Sequence, residues 1–176
     1  MNNSLRPRDL ALALLVIVVW GLNFAVIKVG VAGVPPLLLG ALRYLLAAFP
    51  ALLFVKPPKV PLRLDRLYGM TMAVGQFALL FTAIHIGMPS GLASLVLQSQ
   101  SFFTLLLAAW WLREKWQGNQ VAGLALAGCG LVLIGSAHGA SMPLAGFALT
   151  VAAAAMWGCG NIVTRAVGRY GPMNQF

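Results

Sequence analysis

Charge is scarce in this 176-residue sequence, and negative charge is nearly absent. Only 9% of the residues are charged, and Asp and Glu together number 3, whereas 60% are hydrophobic. Soluble domains carry about 25% charged residues. A soluble domain of this length would have to expose much of its apolar content to water, and a disordered segment needs the opposite composition. The composition therefore excludes an ordinary cytosolic enzyme and a disordered tail, and it predicts an integral membrane protein.

Cysteine is scarce as well. The two cysteines, Cys129 and Cys159, both fall inside apolar runs, where this residue usually behaves as a small hydrophobic side chain. We therefore predict no metal site, no cofactor and no disulfide. The first apolar run extends from Leu10 to about Ile27 without an Ala-x-Ala site, whereas the core of a signal peptide has about 7–15 residues. We expect an uncleaved first span.

Long apolar runs are what the sequence has in quantity. A membrane-spanning helix needs about 20 mainly apolar residues. Six segments meet this condition, at residues 10–31, 37–55, 67–86, 90–112, 121–137 and 144–164. Turn residues separate them, such as Pro35-Pro36 and Gly118-Asn119, which are unfavourable inside a helix. The pattern predicts an all-α polytopic membrane protein with six transmembrane helices.

The basic residues concentrate in the polar connections. Ten of the 12 lie in or beside them: Arg6, Arg8, Lys56, Lys59, Arg63, Arg66, Arg113, Lys115, Arg165 and Arg169. All ten fall on one side of the membrane, because the alternate connections at 33–36, 87–89 and 138–143 contain no Lys or Arg. The positive-inside rule then places the N-terminus in the cytoplasm. Separate basic loops are typical of membrane topology, so we expect no nucleic-acid binding.

The fourth span carries a polar stripe. Ser90, Ser94, Gln98 and Ser101 follow a helical spacing that places them on one face. Polar side chains cannot face lipid without losing their partners. They would line a substrate cavity or form hydrogen bonds between helices, which contribute about 0.6–2 kcal/mol each. Two glutamines in three positions, Gln98 and Gln100, favour the cavity. Gln76 on the third span would face the same space.

The first two spans contain further candidates. Trp20 and Lys28 share a stripe on the first span, with Asn23 beside it. Lys28 either extends to the membrane surface or attracts a substrate carboxylate, and Trp20 is more typical of packing. Arg43, on the second span, has no predicted acidic partner. It must therefore find carbonyl groups, a cavity or a ligand, and a structural bracing role is favoured.

No predicted span contains Asp or Glu. This absence excludes the intramembrane carboxylate that small multidrug antiporters use to exchange cationic drugs for protons. The excess of basic over acidic residues instead favours a substrate with a carboxylate, such as an amino-acid derivative. A hydrolase that pairs Ser90 or Ser94 with His85 or His138 lacks a nucleophile-elbow motif, so we predict no enzyme activity.

The sixth span repeats features of the first. Trp20-Gly21-Leu22-Asn23 is matched by Trp157-Gly158-Cys159-Gly160-Asn161, and a basic residue, Lys28 or Arg165, follows each Trp by eight positions. Chance is the competing explanation. A real repeat would contain five helices, an odd number, so its two copies would be inverted in the membrane, as in many secondary transporters.

Several sequence patches together resemble the EamA family of the drug/metabolite transporter superfamily. They are Val19-Trp20-Gly21-Leu22-Asn23-Phe24, Leu42-Arg43-Tyr44, Gly91-Leu92-Ala93-Ser94-Leu95-Val96-Leu97-Gln98, Phe102-Phe103-Thr104, Glu114 and the stretch from Trp157-Gly158 to Asn161. The resemblance covers essentially the whole chain, and within the family it extends to bacterial exporters of O-acetylserine and cysteine. It implies a multi-pass protein of the bacterial inner membrane that is built from two five-helix repeats and exports small amino-acid-derived metabolites.

Compared with that family, residues 10–137 resemble the first repeat and residues 144–176 the start of a second repeat that stops after one helix. We therefore expect an incomplete transporter chain. The alternatives are a non-transporting fragment, a scaffold-type membrane subunit, or a homodimer whose second copy supplies the other half. The predicted partners are the bilayer and an amino-acid-like substrate. The predicted substrate-binding residues are Asn23, Lys28, Gln76, Ser94, Gln98 and Ser101, with Trp20, Arg43, Trp157 and Asn161 as structural or pathway residues.

Overall fold

The computed structural model describes residues 6–54, 60–114, 116–136 and 142–168. These residues form six helices and no strand: α1 (Pro7–Gly33), α2 (Pro36–Phe54), α3 (Leu62–His85), α4 (Ser90–Leu112), α5 (Gly118–Ser136) and α6 (Leu144–Val167). All except α5 are long and apolar enough to cross a membrane, and α5 contains a shorter apolar stretch, Gly118–Ile134. The predicted all-α membrane fold is confirmed.

The helix bounds follow the predicted spans closely, with the largest difference at α3. This helix begins at Leu62 rather than at the predicted residue 67, and it includes Arg63, Asp65 and Arg66. Charged residues end an apolar run, but Arg is a good helix former, so the helix extends beyond the apolar segment. The following predicted features lie outside the described residues: Val55, Lys56, Lys59, Lys115, Ala137, His138, Arg169 and the rest of the segment to residue 176.

Two of the helices contain irregular segments that the periodicity did not predict. Residues Gly69–Gly75 of α3 form a π-helix, in which the Gln76 N–H donates to the carbonyl of Thr71, five residues earlier. α4 is interrupted at Gln98 and Ser99, whose N–H groups donate to carbonyls only three residues earlier. Each irregularity rotates the residues that follow it relative to a continuous α-helix, and it therefore changes which side chains share a face.

Helix α6 forms the centre of the packing, between α3 and α4. Its buried positions are mostly small, including Ala153, Ala154, Gly158 and Gly160, and small side chains let helices approach closely in a membrane. The buried core contains Leu80 and Phe81 of α3 and Val96 of α4 beside them. The large apolar side chains of α1 and α2 are mainly exposed, which is the distribution that a lipid-facing surface requires.

Turns at the two ends of the bundle join the helices. Between α3 and α4, Gly87 adopts a φ of 107°, a conformation that favours glycine. At the other end, Arg113 has a left-handed conformation with a φ of 54° and closes α4. The chain then turns so that Glu114 forms an ion pair with Arg165 of α6 at 3.0 Å. This exposed pair joins the ends of α4 and α6 on the same side of the bundle.

Candidate functional site

A cavity of about 260 Å³ lies between α1, α2, α3, α4 and α6. Its lining is mainly apolar and aromatic, with three polar side chains, Asn23, Arg43 and Gln76. Ligand pockets in proteins usually have volumes of about 300–1,000 Å³ and combine an apolar wall with a few placed polar groups. The size and the lining therefore suit a small molecule with one or two polar groups.

Arg43 is the only charged residue that lines this cavity within the described part of the chain. Its Nη1 donates a hydrogen bond of 3.1 Å to Oδ1 of Asn23, and its guanidinium carbon lies 4.6 Å from the centre of the Phe77 ring. A guanidinium has five N–H donors, and among the described residues Arg43 uses one of them. Asn23 and Phe77 thus orient a cation that can still bind an anion.

Gln76 is the buried polar residue of the cavity wall. Its side chain is 4% exposed, and its Oε1 has no hydrogen-bond partner among the described residues. It directly follows the π-helical segment of α3, and such segments occur often at functional sites. A buried carbonyl oxygen without a donor costs free energy, and this oxygen is enclosed by protein atoms rather than open to the cavity.

The π-helical segment also contacts α2. The Tyr44 hydroxyl donates a hydrogen bond of 3.3 Å to the carbonyl of Met72, which lies within the segment and lines the cavity. The Tyr44 ring packs edge-on against Phe77 at 5.6 Å between centroids. These contacts hold α2, and with it Arg43, against the face of α3 that carries Gln76.

Two tryptophans connect the first and last helices at this cavity. The ring centroids of Trp20 and Trp157 are 5.5 Å apart with a 49° interplanar angle, a separation typical of favourable aromatic pairs. The two Trp-Gly motifs that the sequence suggested as repeat equivalents therefore meet in space. Both rings line the cavity and give it an aromatic wall.

Of the predicted site residues, the structure brings five together at the cavity: Trp20, Asn23, Arg43, Gln76 and Trp157. The others lie elsewhere. Lys28 and Gln98 are exposed. Ser94 donates to the Gly91 carbonyl at 2.7 Å, and Ser101 accepts a hydrogen bond of 3.2 Å from Gln100. The cavity does not include Lys28, Ser94, Gln98 or Ser101. Contact between these residues and a substrate stays a prediction.

Asn161 belongs to a separate polar cluster between α4 and α6. Its Nδ2 donates to Oε1 of Gln100 at 2.7 Å and to Oγ1 of Thr104 at 3.0 Å. Thr104 in turn donates to the Gln100 carbonyl at 2.7 Å. The cluster satisfies these polar groups within the protein, which is the interhelical hydrogen bonding that membrane helices use. The two asparagines of the suggested repeat thus have different surroundings.

Sequence reasoning missed several residues of the wall, notably Met72, Phe77, Leu80 and Leu97. Phe77 directly follows Gln76 in the sequence, but an aromatic residue in an apolar span carries no signal of its own. Its role depends on how closely α2 approaches α3. The periodicity of the apolar residues therefore could not predict the contact between Phe77 and Arg43.

The side chains of the cavity wall are suited to binding a ligand. Among the described residues, no acidic side chain lines the wall. Within the described ranges, no group of three or more His, Cys, Asp or Glu residues is placed to hold a metal ion. A fixed guanidinium, the amide of Asn23 and two indole rings can recognise a small polar or charged molecule, and none of these groups is a typical nucleophile.

The helices define a multi-pass α-helical membrane protein, and between them lies a small cavity that is partly open, since its lining residues Trp20 and Arg43 are exposed. Residues 8–136 match the EamA-like transporter family, and the chain belongs to that family. None of the solved structures is significantly similar to it.

Two relatives share more than half of their aligned residues with the chain. The "probable amino-acid metabolite efflux pump" of Salmonella typhimurium is 57% identical over 167 residues, which cover 94% of this chain and 56% of that protein. The protein of the same description from Escherichia coli is 56% identical over 162 residues, 91% of this chain and 54% of that protein. A more distant relative is the Escherichia coli "uncharacterized inner membrane transporter YedA", 26% identical over 82% of this chain and 49% of its own length. The chain spans about half the length of these curated relatives.

Proposed function

We propose that this protein exports small amino-acid-derived metabolites, such as cysteine or O-acetylserine, across the bacterial inner membrane. The observation that carries the proposal is Arg43, a cation on the cavity wall with one intramolecular hydrogen bond among the described residues. A charged side chain at membrane depth usually binds a partner or marks a substrate pathway. Every amino acid carries a carboxylate, which is the group that a guanidinium binds best.

The cavity supports the same substrate class by its size and its other polar groups. A volume of about 260 Å³ suits a molecule as small as cysteine or O-acetylserine. Asn23 would hold the Arg43 guanidinium in place, and the Trp20–Trp157 wall would exclude water around the rest of the substrate. The two relatives described as probable amino-acid metabolite efflux pumps support an exporter of this kind.

The repeat organisation is part of the proposal. Residues 10–137 would form the first five-helix repeat, and residues 144–176 would begin an inverted second one. Support comes from the contact between Trp20 and Trp157 at 5.5 Å, because substrate sites of such transporters lie at the interface between their repeats. The four remaining helices of the second repeat would then close the side of the cavity that this chain leaves open.

We also propose that the N-terminus is cytoplasmic. The described part of the chain has six arginines near the starts of α1 and α3 and the ends of α4 and α6, which share one end of the bundle: Arg6, Arg8, Arg63, Arg66, Arg113 and Arg165. The positive-inside rule assigns that end to the cytoplasm. A cysteine introduced at Arg66 should stay unlabelled by a membrane-impermeant maleimide in intact cells, and one at Pro89, at the opposite end, should be labelled. Cys129→Ser and Cys159→Ser, together with replacement of any cysteine encoded beyond residue 176, would remove the background. The reverse pattern would contradict the orientation.

The export function itself is tested in cells. Overproduction of the protein from its complete reading frame should raise the amounts of cysteine and O-acetylserine in the medium above those of cells with an empty vector. The Salmonella relative, expressed at the same level, is the comparison protein. If neither compound accumulates while the protein is present in the membrane, the proposal fails in favour of a non-transporting or scaffold-type subunit.

A further inference from the structure

The positive charge of Arg43 is not balanced by any acidic residue of this chain. The 176 residues include three acidic side chains, Asp9, Asp65 and Glu114, all within the described ranges, and none of them lines the cavity. Asp9 and Asp65 lie in the first turns of α1 and α3, and Glu114 pairs with Arg165 at 3.0 Å. The cavity wall that the structure describes therefore carries a net positive charge.

The side chain that bonds this guanidinium is a neutral amide. Oδ1 of Asn23 accepts a hydrogen bond of 3.1 Å from Nη1 of Arg43, and both residues line the cavity. Arg43 is exposed, and a guanidinium has five N–H donors, so this hydrogen bond leaves most of them for a second partner. An aspartate has nearly the same shape as asparagine, but its carboxylate would pair with the guanidinium and neutralise its charge.

We propose, resting on the proposed function, that the neutral amide of Asn23 determines the charge selectivity of the cavity. Asn23 orients Arg43 without neutralising it, so that the carboxylate that balances the guanidinium is the substrate's own. The site then selects small molecules with a free carboxylate over the corresponding uncharged carboxamides. Asn23 acts through Arg43 and is in this sense a positioning residue.

Two substitutions at position 23 separate the charge of the site from its bracing. Asn23→Asp keeps an acceptor for Arg43 and adds a carboxylate, whose ionised form the neighbouring guanidinium favours. It should lose the selectivity, because the guanidinium is then already paired. Asn23→Ala loses the hydrogen bond but leaves the cation free to bind an anion, so it should keep the selectivity. A residue that only braced the helices would give the opposite result, since Asn23→Asp preserves the contact and Asn23→Ala removes it.

Matched pairs of compounds make a direct test, because cysteine and cysteinamide, and likewise O-acetylserine and its carboxamide, differ only in the carboxylate. Purified protein from the complete reading frame is placed in proteoliposomes. Uptake of each labelled compound is measured in mildly acidic, reducing buffer and corrected for entry into protein-free liposomes. We expect the unmodified protein and Asn23→Ala to prefer the carboxylate by about tenfold or more, as for hydrogen bonds to a charged group. In Asn23→Asp, uptake of the carboxylate should fall to that of the carboxamide.

Asn119→Asp adds the same charge at an exposed residue outside the cavity, and this matched control should keep both uptake and preference. Thermal unfolding in detergent identifies any variant that does not fold. If the unmodified protein transports neither cysteine nor O-acetylserine, the proposed function fails. If it transports either one without a preference over its carboxamide, or if folded Asn23→Asp keeps the preference, the function stands and the role of Asn23 is wrong.

Discussion

Replacing Arg43 by glutamine is expected to abolish most transport of carboxylate-bearing substrates. The guanidinium is the single charge on the described cavity wall, and Asn23 and Phe77 fix its position. Hydrogen bonds to a charged group contribute about 1.5–3 kcal/mol, which corresponds to a loss of about 10–150-fold in affinity. The measurement is the concentration dependence of cysteine or O-acetylserine uptake into proteoliposomes, where the loss should appear as a higher KM.

Two further variants define what the arginine contributes. Arg43→Lys keeps the charge but loses the planar fork that bonds Asn23 and stacks on Phe77, so we expect transport between that of the unmodified protein and Arg43→Gln. Arg63→Gln removes an exposed cation at the end of α3, outside the cavity, and should leave transport unchanged. Equal transport by Arg43→Gln and Arg63→Gln would show that Arg43 only braces the helices.

The sequence predicted the six helices because hydropathy reports the length of each apolar run directly. It could not predict the irregular segments within them. The stripe of Ser94, Gln98 and Ser101 assumes an unbroken helix, but the tight turns at residues 98–99 change the phase of the residues that follow. The π-helical segment before Gln76 has a similar effect on α3. Both features depend on packing between helices, and the hydrophobic periodicity of a single segment carries no information about that packing.

The candidate site, too, could be predicted only in part from the sequence. Trp20 and Asn23 lie within one turn of each other, and both line the cavity. Lys28 lies eight residues beyond Trp20, which is about 12 Å further along the helix and rotated by about 80°, so a small cavity does not include both. Arg43 was predicted to brace the helices or to meet a ligand. Its contacts with Asn23 and Phe77 could be known only after α1, α2 and α3 were placed together.

The second large effect concerns folding, at the contact between α6 and α4. A Cβ atom at Gly158 would lie 2.7 Å from Cβ of Phe103 and 3.1 Å from the backbone nitrogen of Thr104. These atoms are fixed by the backbone of α4, so neither can move without separating the two helices. We expect Gly158→Ala to destabilise the protein by about 1–3 kcal/mol, the range for overpacked cores, and to lower the midpoint of thermal unfolding in detergent.

The suggested repeat provides the matched control, because Gly21 also follows a tryptophan but has no atom within 4 Å of its would-be Cβ. Gly21→Ala should leave stability unchanged or raise it by up to about 1 kcal/mol, since alanine favours the helix more than glycine does. Gly160→Ala should be intermediate, because its Cβ would meet the flexible side chain of Met72, which can move. If Gly158→Ala and Gly21→Ala unfold at the same temperature, α6 does not pack against α4 as closely as the structure indicates. The central position of α6 in the bundle would then be wrong. The contact between Trp157 and Trp20 that forms one wall of the cavity would be wrong as well.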